Sequence, residues 1–158
     1  MDPQVKKQAV RMFTYGLYVL TCKKENEYHG ATVTWVSQAS FNPPLISVGL
    51  ENQSMAFSFV NQTQFFALNI LGKDQKEIAS KFFKHPLTEG NKIGGIEFEL
   101  KKTGIPLLVP APAYLECHLV NTLFTGDHTI IIAEIIEAGV RRPSESLVLA
   151  STGWSYGG

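Results

Sequence analysis

The chain has 158 residues and a mass of 17.5 kDa, the size of one domain spanning residues 1–158. Lys plus Arg and Asp plus Glu number 14 each, so the formal net charge is zero, which argues against a generic binder of nucleic-acid backbones. An apolar fraction of 44% with 18% charged residues is enough for a core and excludes a disordered composition.

The opening reads as a helix: Asp2 suits the N-cap and Pro3 the first helical position. Val5, Ala9, Met12 and Phe13 fall on one face, and Gly16 ends it. Strands are predicted at 17–22, 31–39, 45–50 and 65–71, with a polar turn over 23–28 and a Pro43-Pro44 stop before the third. Ser54 caps a helix to about residue 61. Asp74 and Glu77 have capping-box spacing, with Ile78 and Phe82 following at helical spacing. Residues 90–95 read as loop, and Pro106, Pro110 and Pro112 punctuate an irregular stretch. Two long strands, 114–124 and 129–138, flank Thr125-Gly126-Asp127, and 147–150 reads as a last strand. Many strands with few helices, not alternating, imply a closed antiparallel barrel with helices at its side.

No run of residues is apolar over the length of a bilayer span, and the first residues carry no apolar stretch like a secretory signal. Cys22 and Cys117 make neither a disulfide framework nor a metal cluster, so reduced thiols and a cytoplasmic location are expected. Cys117 and His118 are neighbours on a predicted strand and point to opposite faces, so they do not share a metal. Ten Phe with so few charges imply an apolar surface covered by a partner subunit or a ligand.

Gly-rich phosphate loops, a nucleophile elbow and a zincin motif are all missing. The informative stretch is 30–44, dense in hydroxyls and small residues. Ser37, Gln38, Ser40 and Asn42 are poor strand formers gathered in one place, either as a plain strand and loop or as donors to a polar ligand. Thr125-Gly126-Asp127-His128 is either a hairpin turn with His128 next in line, or a histidine held by Asp127 for proton chemistry near neutral pH. Asn52-Gln53-Ser54 enters a helix whose N-terminus suits a phosphate, or Ser54 only caps it.

The ordered set Gly-Ala-Thr-Val-Thr-Trp-Val-Ser-Gln-Ala-Ser-Phe-Asn-Pro-Pro, Ser54 at a helix start, Phe66-Ala67-Leu68-Asn69-Ile70-Leu71, Lys81-Phe82, Ala113-Tyr114-Leu115-Glu116-Cys117 and Gly126-Asp127-His128 resembles the flavin reductase-like family of FMN-binding split barrels. It is most similar to the reductase module of cyanobacterial-type flavodiiron proteins. The resemblance implies a mainly β, six-stranded Greek-key split barrel with two or three flanking helices. It implies a homodimer with FMN near its interface, FAD being possible, and electrons passing from NADH or NADPH to a flavin or a protein acceptor. It implies no nucleic-acid or membrane partner. The alternative is an FMN-binding electron-transfer module without nicotinamide turnover.

By position, the resemblance assigns the flavin edge to Thr32, Val33, Thr34 and Trp35, largely through backbone groups, and the phosphate and ribityl chain to Gln38, Ala39, Ser40, Asn52 and Ser54. Phe82 matches an aromatic beside the isoalloxazine. His128, with Asp127, matches the histidine associated with nicotinamide binding or hydride geometry. Val33 and Trp35 are bulkier than many relatives have there. Trp154 and Tyr156 in the tail either cover the flavin or pack the terminus.

Overall fold

A computed structural model describes residues 1–158. The main sheet is antiparallel throughout and runs β2 (Glu27–Val33), β1 (Tyr18–Lys24), β5 (Phe65–Ile70), β10 (Ala113–Phe124), β11 (His128–Val140), β4 (Leu45–Glu51), β3 (Val36–Ser40). Its two edge strands, β2 and β3, are consecutive in the chain, so the sheet curls back on itself. Leu20, Val33, Ile46, Val48, Leu68, Cys117 and Ile131, drawn from six different strands, pack in one buried cluster. Alternation puts every second residue of each strand inside, and each fully buried Leu or Ile contributes about 1.5–3 kcal/mol. The mainly β barrel expected from the sequence is the observed fold. Its six expected strands become seven because the run over 31–39 breaks into β2 and β3.

Helix α2 (Met55–Thr63) closes one end of the barrel with Ala56, Phe57, Phe59 and Val60. Ser54 caps it as expected: its Oγ accepts from the Phe57 amide at 3.1 Å. A smaller sheet, β6 (Thr88–Glu89), β7 (Lys92–Ile93), β8 (Ile96–Leu100) and β9 (Pro106–Leu108), stands where the sequence reads loop and irregular chain. Buried Asn69 fastens this sheet to the barrel. Its Nδ2 donates to Val19 O and Thr21 Oγ1, and its Oδ1 accepts from the Leu108 amide at 2.8 Å.

Three other expectations are corrected. Helix α1 (Pro3–Val10) has its Asp2 cap but buries nothing; Val5, Met12 and Phe13 are exposed, because eight residues on the outside of a barrel reach no core. Helix α3 (Lys76–Ser80) has no capping box: Gln75 is its N-cap, and the Gln75 side chain bonds the Gly72 amide and Pro110 O instead. Residues 147–150 form no strand but two isolated bridges nearby and a 3-10 helix at Leu149–Ser151. No helix is long and apolar enough to cross a membrane.

Candidate functional site

The break between β2 and β3 creates the site. β2 pairs with β1 and β3 with β4, so the chain must change partners within two residues. It does so by a tight turn in which Val36 N donates to Thr34 O at 3.1 Å and Trp35 O accepts from Gly49 N at 2.9 Å. The turn leaves the Thr34 and Trp35 amides with no backbone acceptor. Thr34 Oγ1 and Trp35 Nε1 are also buried and unpaired. Buried polar groups nearly always find partners, so Thr34 and Trp35, which carry two buried unpaired side-chain groups beside two amides without a backbone acceptor, mark this wall as a candidate ligand-facing surface.

Thr34 and Trp35 line a cavity of about 520 Å³. Its apolar side is Leu17, Ala31, Val33, Leu50, Ala56 and Phe82; Thr32, Glu51 and Ser54 add polar groups. Thr32 anchors the far wall: its amide donates to Phe82 O at 3.1 Å and its Oγ1 to Ala79 O at 2.7 Å. The Phe82 ring packs against Gly30, where a Cβ would come within 2.8 Å of it. Residues 154–156 border the cavity on the remaining side.

The hairpin after β10 delivers His128. Its Nδ1 lies 2.7 Å from Asp127 Oδ1 and its Nε2 3.0 Å from the Tyr156 hydroxyl. The hydrogen bond from His128 holds the Asp127 carboxyl below its ordinary value. Burial, with Glu51 and Asp127 nearby, pushes the Tyr156 hydroxyl up, so it stays protonated. Asp127, a carboxylate that only accepts, faces a proton on Nδ1, and Nε2 shares a hydrogen bond with the Tyr156 hydroxyl. The imidazole packs against Trp35, ring centres 4.4 Å apart, and Tyr156 meets the same indole edge-on at 5.6 Å.

Of the residues singled out in the sequence, Thr32, Val33, Thr34, Trp35, Ser54 and Phe82 line the cavity. His128 and Asp127 reach it through Trp35 and Tyr156. Asn52 is spent elsewhere: Nδ2 donates to Gly126 O and Oδ1 accepts from Thr129, so it clasps the hairpin turn. Gln38 and Ala39 are exposed and Ser40 half-buried on edge strand β3, and none of the three lines the cavity. Leu17, Glu51, Phe83 and Leu149 were not legible beforehand, because sheet register and the return of the C-terminal segment bring them in.

A flat ligand with polar groups along one edge fits this space. It would lie between apolar walls, with two amides, an indole N–H and a hydroxyl at its rim. Residues 10–155 match the family described as flavin reductase like domain. The high molecular weight rubredoxin of Moorella thermoacetica is 30% identical over 145 residues, covering 90% of this chain and 63% of that protein. Diflavin flavoprotein A 1 of Synechocystis is 30% identical over 143 residues, 90% of this chain and 25% of that one. This chain therefore spans less than two thirds of either relative. The NADH:FAD oxidoreductase SgcE6 of Streptomyces globisporus, solved with NAD and FAD fragments, superimposes at a TM-score of 0.84 with 25% identity, covering 100% of this chain and 96% of that one. With a match that runs through every strand of the barrel, the chain belongs to the flavin reductase like domain family.

Proposed function

We propose that the chain is a single flavin-binding domain and an oxidoreductase that passes electrons from NADH or NADPH through bound FMN, or FAD in its place, to a flavin or protein acceptor. The observation that carries this reading is the set of orphaned groups on Thr34 and Trp35, facing a cavity bounded by apolar residues. When bound, a flavin would supply two-electron redox chemistry between a nicotinamide and the acceptor. Thr34 and Trp35 hold the polar edge of the ring through backbone amides, which need no mobile side chain. Val33 and Phe82 exclude water from its faces. Ser54 and the N-terminus of α2 take the phosphate side.

His128 orients the nicotinamide, with Asp127 fixing the imidazole's tautomer. Tyr156 occupies Nε2 when no nicotinamide is present. Gln38, Ala39 and Ser40 belong to the reading as an edge that a second copy of the chain brings to the cofactor. Asn52 holds the hairpin that presents His128. A homodimer accounts for the exposed Val120, Leu123 and Phe124 on the β10–β11 ribbon.

An anaerobic titration tests the proposal. The purified chain is expected to bind FMN with a visible spectrum, and NADH or NADPH is expected to bleach it. His128→Ala is expected to keep the flavin and bleach about 10²-fold or more slowly, the range of a positioned proton or hydride-orienting group. A yellow protein that neither nicotinamide reduces would favour the electron-transfer module, and absence of flavin binding would remove both readings.

A further inference from the structure

Residues 154–156 border the cavity, and basic side chains grip the chain around them. Arg11 Nε donates to Gly157 O at 3.4 Å. Gly158 lies against Lys7, whose Cγ would stand 2.7 Å from a Cβ placed there. Lys76 Nζ donates to Thr152 O at 2.6 Å and sits 4.7 Å from the centre of the Trp154 ring. Phe83 meets that indole edge-on at 4.7 Å, and Lys84 follows it on the rim of a neighbouring recess. None of Lys7, Arg11, Lys76 and Lys84 has a carboxylate within 4.0 Å. The lysines and arginines that do, Lys73, Lys101, Lys102 and Arg141, line neither the cavity nor the recess. The local balance is uneven in a chain whose charges cancel. Residues 1–13 hold Lys6, Lys7 and Arg11 against Asp2, and residues 76–85 hold Lys76, Lys81 and Lys84 against Glu77. Glu51 and Asp127 stand near the Tyr156 hydroxyl. Between the cations, Phe13, Phe83 and Tyr156 are exposed. An apolar middle with charge of one sign around it is the make-up of a transient protein contact steered by electrostatics.

We infer that this face, around the exposed side of residues 152–158, docks an acidic redox protein that accepts the electrons leaving the cavity. The source of those electrons rests on the flavin reading; the acceptor's surface chemistry and its place of contact are what the cations add. Two electrons leave the reduced ring for the acceptor and the ring's proton goes to water, so a one-electron carrier is used twice for each nicotinamide oxidised. Only the residues of 154–156 separate a protein seated here from the Trp35 wall: Tyr156 packs on that indole at 5.6 Å, and Gly157 lies beside it. Lys7, Arg11 and Lys76 are tied to the segment the acceptor covers, so they offer fixed charges at the rim and not a mobile basic arm.

Cytochrome c and its lysine-succinylated form carry the same haem under opposite surface charge, and they serve as probes under anaerobic conditions. The succinylated, acidic form is expected to be reduced about ten-fold faster than the basic one at about 0.01 M salt, with the difference gone near about 1 M. Arg11→Glu/Lys84→Glu is expected to slow the acidic form about ten-fold while nicotinamide bleaches the flavin at a rate within about two-fold of the wild type. Arg11→Lys/Lys84→Arg is expected to restore the rate. Equal or faster reduction of basic cytochrome c overturns the docking face, and so does a charge reversal that slows bleaching as much as cytochrome reduction, since the cations would then serve the dinucleotide. Binding is read separately on the flavin-free chain, from the amide resonances of residues 6–13 and 152–158 during titration with succinylated cytochrome c. If they move although no flavin binds, the flavin reading falls and the docking face stands. If flavin binds and is bleached while they stay fixed, or if they move only with anionic lipid vesicles, the docking face falls alone.

Discussion

The Tyr156 hydroxyl lies 3.0 Å from His128 Nε2, the only ring nitrogen that Asp127 leaves free. While that bond holds, His128 has nothing to offer a substrate, so Tyr156 and a nicotinamide compete for one position. Tyr156→Phe keeps the ring against Trp35 and removes the competing hydroxyl. The KM for the nicotinamide is expected to fall several-fold with kcat unchanged, and loss of one net hydrogen bond is expected to cost about 0.5–1.5 kcal/mol in denaturant unfolding. A rise in KM would mean that the hydroxyl contacts substrate instead. The pair His128 and Asp127 was visible in the sequence as neighbours after a turn. Tyr156 was visible only as an aromatic near the end, because nothing local says which ring a tail residue will meet 28 positions away.

At the level of elements, the strands were legible wherever apolar and β-branched residues alternate, as in β4, β5, β10 and β11. The break after Val33 was not. Thr34 and Trp35 are both good strand formers, so propensity favours continuing the strand. What overrides it is a long-range fact: β1 can pair only as far as Tyr18↔Val33, and Gly49 then offers its amide to Trp35 O. The β6–β9 sheet was missed for the opposite reason, its strands of two to five residues being too short for periodicity to register. Gly49 makes the break possible, since a Cβ there would lie 2.9 Å from the Trp35 ring and 3.2 Å from its Cβ. Gly49→Ala is therefore expected to displace Trp35, shift tryptophan emission, and destabilise the chain by about 1–3 kcal/mol, as overpacking does. Unchanged emission with an unchanged urea midpoint would show that the indole is not wedged against β4.

Across the whole molecule, the barrel interior is continuous from β1 to β11, and its two thiols report whether it opens as one body. Cys22 on β1 and Cys117 on β10 are separated by β5, and both lie in the same buried cluster with no exposure. Burial pushes each thiol up to about 12, with Glu116 adding to the effect at Cys117. Such thiols stay protonated in the folded chain at pH 8, so a disulfide reagent reaches them only through opening. Both are expected to stay unlabelled in the native chain and to react at one common rate that follows global unfolding. If Cys117 reacted faster than Cys22, β10 would be peeling from β5 as a separate unit, at the β5–β10 seam inside the barrel.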